Sequence, residues 1–299
     1  MKLNFAQGVA NGAEMRLPIS VIILTFNEEK NIEACLKSVY AFVDEIFIID
    51  SFSTDKTLEI GRKFPVKIYQ HAFQDYSRQR NWAQDNLPIK NEWVFHLDAD
   101  ERVTLELWEE LKEIFSQMQI DADGLLVSRR TLFMGKWIRH GAHYPRYHLR
   151  LFKKGLGRCE DRLYDQHFYL TGGSPKVLKS DIIDTITYNL DNWIARHNKW
   201  ATLEAQEVIR CRDSQPVCQN YRIKGSTTGN PIERQRYMRE FYYRCPLFLR
   251  AAAYFLYRYI LRLGFLDGIK GLIFHFLQGF WYRFLVDAKI YEYNKGLRL

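Results

Sequence analysis

The feature that most restricts the fold of this chain is a regular alternation of short apolar runs and helix-like stretches. Apolar runs of strand length occur at 19–24, 45–49, 66–69 and 93–97. Between them lie stretches with helical periodicity or capping residues, at 31–40, 53–63 and 78–86. This alternation predicts an α/β fold, Rossmann-like, in which a mostly parallel sheet is covered by helices on both faces. In such sheets, ligands bind beyond the carboxyl ends of the strands.

The rest of the chain divides by composition. A helix is predicted over 105–117, strands and loops over 125–151, and a second long helix over 193–210. A polar stretch with glycines, 213–231, is typical of a linker. The sequence therefore predicts four parts, which are a flexible leader (1–17), an α/β domain (18–212), a linker (213–231) and a basic, aromatic-rich amphipathic helical region (232–299).

The positive charge of the chain is concentrated in that last region. The formal net charge is +8, and residues 221–299 alone carry +9. Basic residues interrupt the apolar stretches, so no run reaches the roughly 18 apolar residues of a membrane span. Three interpretations fit: helices packed on the domain, a nucleic-acid surface, and amphipathic helices at an anionic membrane surface. We favour the membrane surface and expect no nucleic acid partner, because apolar side chains share broad helical faces, namely Leu247, Tyr254, Leu261, Phe265, Leu272, Phe276, Phe280 and Phe284.

The N-terminus and the cysteines predict a compartment. No apolar segment follows the lysine at position 2, so no secretory signal is visible. The five cysteines are odd in number and form no pair at zinc or redox spacing. We therefore expect a cytoplasmic protein, and the basic tail predicts a peripheral position on the cytoplasmic face of the inner membrane.

Two carboxylates stand directly after the fourth apolar run. Asp98 and Asp100 are two residues apart, so both can leave the end of a strand toward one ligand. Such oxygens suit Mg²⁺ or Mn²⁺, which typically completes its coordination with water and phosphate oxygens. An isolated pair of this kind is more often a solvated strand end than a metal site. The neighbouring motifs therefore determine which interpretation applies.

Those surroundings form an ordered set of motifs. TFNEE occupies 25–29, DSFSTDKT 50–57, QRNWA 79–83 and DAD 98–100, followed by GKWIRHG at 135–141, LRLF at 149–152 and LRLGFLDG at 261–268. In these motifs the sequence resembles the family 2 inverting glycosyltransferases of the GT-A fold, most closely their lipopolysaccharide core β-1,4-glucosyltransferase branch. The resemblance extends from about residue 19 to residue 291.

The resemblance implies roles for individual residues. Contacts to the nucleotide sugar are implied for Thr25, Asn27, Glu28, Asp50, Arg80, Asp98 and Arg150. Asp100 would bind the metal, Mg²⁺ or Mn²⁺. Two alternatives stay open: Asp50 could cap a turn with Ser53, and Arg150 could be a solvated charge on a strand.

An inverting transfer also needs a base that takes the proton of the acceptor hydroxyl. The candidates are Asp161 and Asp165, with Glu160 behind them, and each has an alternative as an ion-pair partner of Arg158 or Arg162. The lipopolysaccharide branch usually has a His-Glu pair where residues 165 and 166 stand here.

A second departure from the family concerns the metal. Asp184 aligns with a histidine that the family often uses near the metal or the diphosphate. It is therefore a second candidate ligand of Mg²⁺ or Mn²⁺. The alternative is a loop carboxylate that follows two isoleucines.

Together, these features predict a metal-dependent inverting glycosyltransferase. It would move a hexose from a nucleotide-diphosphate sugar, a UDP-sugar, to a lipid-linked glycan acceptor in lipopolysaccharide or envelope polysaccharide synthesis. One alternative is a catalytically inactive, membrane-docked protein that binds a sugar nucleotide or acts as a scaffold. Another is a nucleotidyltransferase, which would have a Gly-rich basic loop where 25–28 stands.

Overall fold

The structure, a computed structural model, describes residues 16–187, 189–213 and 222–297. Most of the expected leader and part of the expected linker, 214–221, lie outside the described residues. By its contacts the chain forms two compact units. The first contains the described residues up to 130, with Tyr147–Cys159 and His167–Thr187, and the second contains Thr131–Arg146, Glu160–Gln166 and the described residues after 188. The four-part division made from the sequence stays a prediction.

The first unit holds the alternating elements that the sequence predicts. Its strands and helices are β1 (Leu17–Thr25), α1 (Ile32–Lys37), β2 (Val43–Asp50), α2 (Thr57–Gly61), β3 (Lys67–Gln70), α3 (Tyr76–Asn86), β4 (Trp93–Asp98), β5 (Glu101–Val103), α4 (Leu105–Phe115), β6 (Gly124–Phe133), β8 (Tyr147–Lys153), β9 (Gly157–Cys159), β10 (Phe168–Leu170) and β11 (Pro175–Thr185). All four apolar runs of the first hundred residues are strands.

The main sheet has the strand order β3, β2, β1, β4, β8, β6, β11, β5. The first four strands pair in parallel, whereas β8 runs antiparallel to β4 and to β6, and β11 runs antiparallel to β5. The predicted α/β fold is confirmed. Because β1, β2 and β4 are parallel neighbours, Thr25, Asp50 and Asp98 end adjacent strands at one edge of the sheet.

One face of this sheet is covered by α1 and α4. Leu36 of α1 and Trp108 of α4 are fully buried against Val21 and Phe95 of the strands. The indole of Trp108 also stacks on Phe42 at 5.0 Å and donates to the carbonyl of residue 38 at 2.7 Å. Burial of such aromatic side chains supplies much of the free energy that holds helices on a sheet.

The second unit is mainly helical. Its elements are β7 (Lys136–Trp137), α5 (Leu190–Asp213), α6 (Pro231–Arg244), α7 (Leu249–Leu256), a π-helical segment (Tyr257–Leu261), a 3₁₀ turn (Gly264–Asp267), α8 (Gly268–Phe274), a second π-helical segment (His275–Trp281) and α9 (Tyr282–Asn294). The expected helical region is therefore observed. None of the helices in the part of the chain that the structure describes is long and apolar enough to cross a membrane.

The described cysteines differ in state. Cys35, Cys159 and Cys245 are not in disulfides, whereas Cys211 is. The compartment predicted from the cysteine count stays a prediction.

Candidate functional site

Two loops at the carboxyl ends of β1 and β2 are held together by hydrogen bonds. The amide of Asn27 donates to Ser53 Oγ at 2.9 Å, and the amide of Thr54 donates to Asn27 Oδ1 at 2.8 Å. The amide of Glu28 donates to Thr57 Oγ1 at 2.7 Å. Asn27 has φ 55°, a left-handed conformation that asparagine adopts more readily than most residues. The two motifs at 25–29 and 50–57 thus form one structural feature.

The carboxylate of Asp50 holds these loops through hydrogen bonds. It is fully buried and accepts from Thr25 Oγ1 at 3.1 Å, from the Ser53 amide at 2.9 Å and from Gln70 Nε2 at 3.2 Å. The turn with Ser53 that the sequence offered as an alternative is therefore present. Contact between Asp50 and a nucleotide stays a prediction, and it would require one of these bonds to exchange.

Two aromatic side chains stand exposed on the same loops. Phe26 is 58% exposed and Phe52 is 54% exposed, although buried positions are the norm for phenylalanine. Phe52 also has φ 61°, a strained conformation for a bulky residue that structures tend to keep at functional positions. Neither phenylalanine is among the residues to which the sequence assigned a role; the available signal is an aromatic residue in a polar strand-end loop.

Asp98 lies between two buried arginines. Arg80 Nη2 donates to Asp98 Oδ1 at 3.0 Å, and Arg150 Nη2 donates to Asp98 Oδ2 at 2.9 Å and also pairs with Glu101. Arg150 is 4% exposed, so its alternative as a solvated charge is wrong. Burial alone would raise the pKa of the Asp98 carboxyl, but the Arg150 and Arg80 guanidinium groups hold it well below its ordinary value. Asp98 is therefore ionised and neutralised by the protein.

Asp100 has the opposite environment. Burial raises its pKa well above the ordinary value, and the negative charges of Asp184, Asp98, Glu101 and Glu28 raise it further. Within the described ranges, no basic side chain pairs with it. A carboxylate crowded by like charges and left without a cation is the arrangement that a bound metal ion would relieve.

Asp184 has the largest effect on Asp100 of the neighbouring charges, and it lies in a strand. It belongs to β11, opposite Glu101 in the register, and its Oδ2 lies 3.6 Å from Arg129 Nε. The alternative of a loop carboxylate is therefore wrong. Among the described residues, no group of three or more His, Cys, Asp and Glu side chains stands at metal-binding geometry. Two carboxylates nevertheless fit Mg²⁺ or Mn²⁺, since such ions commonly take one or two protein carboxylates plus substrate phosphates.

Two other ionisable groups behind Asp98 are uncharged. The pKa of His96 is lowered well below its ordinary value by burial and by Arg80 and Arg150, so its ring is neutral. Burial raises the pKa of the Cys35 thiol to about 12. These groups therefore do not add to the charge of the site at neutral pH.

The candidate bases lie in the second unit, in different environments. Asp165 pairs with Arg239, with Arg236 at 3.5 Å and with Arg146 at 3.7 Å. Glu160 is 2% exposed and pairs with Arg236 at 2.7 Å. Asp161, by contrast, is exposed to solvent.

The two arginines that the sequence suggested as ion-pair partners of these carboxylates form ion pairs with other acids. Arg158 pairs with Asp85 at 2.6 Å, and Arg162 pairs with Glu207 at 3.2 Å. The observed partners, Arg236 and Arg239, come from α6, about 70 residues further along the chain. A local spacing pattern carries no signal for a contact at that separation.

Comparisons with known proteins agree with this geometry. Residues 20–180 match the model of glycosyl transferase family 2. The chain is 26% identical over 284 residues, 93% of each chain, to the lipopolysaccharide core biosynthesis glycosyltransferase LpsC of Rhizobium meliloti (strain 1021). It is 36% identical over 103 residues, 34% of each chain, to an uncharacterized glycosyltransferase of Rickettsia bellii (strain RML369-C).

A solved structure shares the fold. The mannosyltransferase PcManGT from Pyrobaculum calidifontis, determined with GDP-Man and Mn²⁺, matches 95% of this chain and 89% of its own with a TM-score of 0.52. The sequence identity is 14%, so the likeness concerns architecture alone. It confirms the GT-A fold that the motifs predict.

Proposed function

The chain belongs to glycosyl transferase family 2, and from that premise we propose that it is an inverting hexosyltransferase that uses a UDP-sugar. Its acceptor would be a lipid-linked glycan in lipopolysaccharide or envelope polysaccharide synthesis, the process in which the related LpsC takes part by name. The observation that carries the proposal is the contrast between a neutralised Asp98 and an unpaired Asp100 at one strand end.

The donor would lie over the loops that follow β1 and β2. The exposed rings of Phe26 and Phe52 offer apolar faces on which a nucleobase can stack. Asn27 and Glu28 stand beside them on the same hydrogen-bonded loops. Thr25 and Asp50 would meet the ribose, with Asp50 exchanging one of its present bonds.

The metal would be held by Asp100 and Asp184. When bound, Mg²⁺ or Mn²⁺ neutralises the charge that develops on a diphosphate leaving group. Arg129 restrains Asp184 at 3.6 Å. Arg80 and Arg150 fix Asp98, so that this carboxylate faces the donor without competing with Asp100 for the cation.

We place the base at Asp161 before Asp165. Ion pairing with guanidinium groups stabilises a charged carboxylate, and Asp165 would have to leave its partners to take a proton. Asp161 is exposed and free to approach an acceptor hydroxyl. In Asp161→Asn we expect transfer to fall at least about a hundredfold, the usual contribution of a general base. Near-normal turnover of that variant would contradict the assignment.

A membrane surface is proposed for the helical tail. Large apolar side chains are exposed along one stretch of the second unit, namely Leu249, Leu256, Ile260, Leu261, Leu263, Phe265, Leu266, Ile269, Leu272 and Phe276. Five of the eight residues that the sequence placed on apolar faces are exposed. Exposed apolar clusters with interspersed basic residues, here Arg262 and Lys270, fit an anionic bilayer surface. This would bring the enzyme to a lipid-linked acceptor at the cytoplasmic face of the inner membrane.

Cosedimentation with vesicles tests the membrane proposal. The probe is a phosphatidylglycerol and phosphatidylethanolamine mixture, compared with neutral phosphatidylcholine. We expect the double variant Leu261→Asp, Ile269→Asp to lose most binding to the anionic vesicles. The matched control is Met118→Asp, because Met118 is a fully exposed apolar side chain in the first unit. Equal loss in the control, or no binding by the unaltered chain, would argue against this surface.

The decisive experiment for the donor is calorimetric titration of UDP, GDP and dTDP with and without Mn²⁺. We expect UDP to bind, Mn²⁺ to strengthen that binding, and Asp100→Ala to remove the gain. Asp121→Ala is the control, since Asp121 is an exposed carboxylate of the same unit. Metal-independent binding that is unchanged in Asp100→Ala would contradict the metal assignment.

The alternatives give different results in the same preparation. A catalytically inactive binding or scaffold protein would bind UDP-sugar but release no UDP with any acceptor. A nucleotidyltransferase would consume a nucleoside triphosphate and a sugar phosphate instead. Release of UDP from a UDP-sugar that depends on an added glycan supports the hexosyltransferase.

A further inference from the structure

A second charged cluster lies in the helical unit, and none of its members is assigned above to the donor. Its centre is Arg258, in the π-helical segment Tyr257–Leu261, with 3% of its surface exposed. Its Nε donates to the carbonyl of Gly141 and its Nη1 donates to Gln278 Oε1, both at 2.9 Å. Its Nη2 is buried and has no hydrogen-bond acceptor among the described residues. The guanidinium group thus meets two neutral oxygens and interacts with the Tyr254 side chain, while its Nη2 has no acceptor among the described residues.

Two further arginines contribute positive charge near Arg258. Arg146 and Arg283 both act on Arg258, and their charges, after burial, lower its pKa. Arg283 Nη1 donates to Glu204 at 2.7 Å, but Glu204 also pairs with Arg239. Arg146 lies 3.7 Å from Asp165, which Arg239 pairs with as well. Glu204 and Asp165 are therefore each shared between two arginines, and no carboxylate in the described part of the chain forms an ion pair with Arg258.

The pKa of Tyr254 is shifted by the same positive charges. Burial raises the pKa of its phenol, but Arg258, Arg283 and Arg146 outweigh burial and bring that pKa below the ordinary value. Its ring lies 5.5 Å from the Arg258 guanidinium carbon and 5.7 Å from that of Arg283. Cation–π contacts of this kind hold guanidinium groups in place but do not cancel their charge. A group with negative charge is what the cluster lacks.

We propose that Arg258, Arg283, Arg146 and the Tyr254 hydroxyl bind a phosphate group carried by the sugar acceptor. Guanidinium forks suit phosphate oxygens, and several together suit a dianion. The acceptor is the source because Arg146 also contacts Asp165, in the segment that holds the candidate bases. Arg146 and Arg283 keep 35% and 22% of their side chains exposed, so a ligand can reach them. π-helical segments, which supply both Arg258 and Gln278, are frequent at functional sites. The acceptor assignment rests on the proposed function.

Titration of the full chain in phosphate-free buffer tests this site. The probes are glucose 6-phosphate, unphosphorylated glucose and inorganic phosphate, with UDP titrated separately. We expect glucose 6-phosphate to bind and glucose not to bind. Arg146→Gln should weaken glucose 6-phosphate binding about tenfold, the usual effect of losing a hydrogen bond to a charged group, and should leave UDP affinity unchanged. Arg244→Gln is the matched control, because Arg244 is an exposed arginine of the same unit.

A second variant separates binding from folding. Arg258→Lys keeps the buried charge but loses the fork, so we expect it to stay folded and to bind glucose 6-phosphate more weakly than the unaltered chain. The proposal is overturned if the unaltered chain binds no glucose 6-phosphate, or binds only inorganic phosphate. It is also overturned if Arg146→Gln and Arg244→Gln behave alike, or if Arg146→Gln loses UDP instead. Absence of UDP binding by the unaltered chain contradicts the proposed function, and the glucose 6-phosphate result is read independently of it.

Discussion

Replacing Arg150 by methionine should destabilise the first unit strongly, because two buried carboxylates depend on that arginine. Its Nη2 lies 2.9 Å from Asp98 Oδ2 and pairs with Glu101, which is 1% exposed. Methionine has a comparable length and suits an apolar environment, but it leaves both charges without this partner. Removing one member of a buried ion pair typically costs about 3–5 kcal/mol.

The remaining contacts place the expected cost at the lower end of that range. Asp98 keeps Arg80 at 3.0 Å, whereas Glu101 keeps Arg129 at 3.9 Å and the amide of Asp98 at 3.0 Å. We therefore expect Arg150→Met to lose about 3 kcal/mol of unfolding free energy at pH 7. For a chain of this size, that corresponds to a fall of roughly 5 °C in Tm.

The cost should depend on pH, and its direction follows from the pKa shifts. The folded pKa of Asp98 lies below its unfolded value, so its pairing contributes stability above about pH 4 and loses it as the pH falls further. The pKa of Glu101 is already raised by burial, against the effect of Arg150. Without Arg150 both carboxyls protonate at higher pH, which removes the unpaired charge. The difference between variant and unaltered chain should therefore shrink from pH 7 to pH 5.

Urea unfolding followed by circular dichroism, with a chelator present, measures this difference at both pH values. Arg158→Met is the control, because the side chains of its 2.6 Å pair with Asp85 are 36% and 51% exposed, and pairs at the surface are worth at most about 1 kcal/mol. A loss below about 1 kcal/mol in Arg150→Met, or a loss that does not change between pH 7 and pH 5, would refute the reasoning.

Three further predictions concern single positions. Asp100→Asn should stabilise the metal-free chain by about 1 kcal/mol, with a gain that grows as pH rises because the ionised form of Asp100 is disfavoured; thermal unfolding across pH checks this, and a destabilised variant would contradict it. Phe52→Gly should relieve the strain of φ 61°, worth about 1 kcal/mol, yet weaken UDP binding; unchanged affinity in calorimetry would remove the stacking role. Gly141→Ala should cost at least about 2 kcal/mol, because a Cβ there would lie 2.2 Å from His275 Cε1 at φ +70°; a Tm within 2 °C of the unaltered chain would show that this contact yields, since that shift equals under about 1 kcal/mol.

The first unit was predictable because its signals are local. Apolar runs identify β1, β2 and β4. These parallel strands end at one edge of the sheet, so the polar residues that follow them lie at that edge. The pair Asp98 and Asp100 could be placed at that edge from spacing alone. Their opposite charge states could not, because Arg80 and Arg150 come from other elements.

Charged strands and distant ion pairs account for what the sequence missed. β5 (Glu101–Val103) contains two charged residues, so no apolar run marks it, yet Glu101 and Arg102 are buried and hydrogen-bonded there. The sequence offered a loop as an alternative position for Asp184, because nothing in it indicates that β11 pairs with β5. In both cases, the charged side chain is accommodated only with the partner strand in place.

The two motifs at 135–141 and 261–268 carried the resemblance without any role of their own, and the structure supplies one. The amide and Nδ1 of His140 bond to the Asp267 carboxylate at 2.9 and 2.8 Å, and the Gly141 amide donates to the carbonyl of Arg262 at 2.9 Å. Bonds from His275 and His140 bring the pKa of Asp267 to about 2, although burial opposes them. The two motifs are thus joined by hydrogen bonds, and the Gly141 carbonyl in the first motif also accepts from Arg258. These hydrogen bonds hold the Gly141 carbonyl that positions Arg258. A substitution at Asp267 should therefore weaken phosphate binding, although Asp267 itself is not proposed to contact the phosphate.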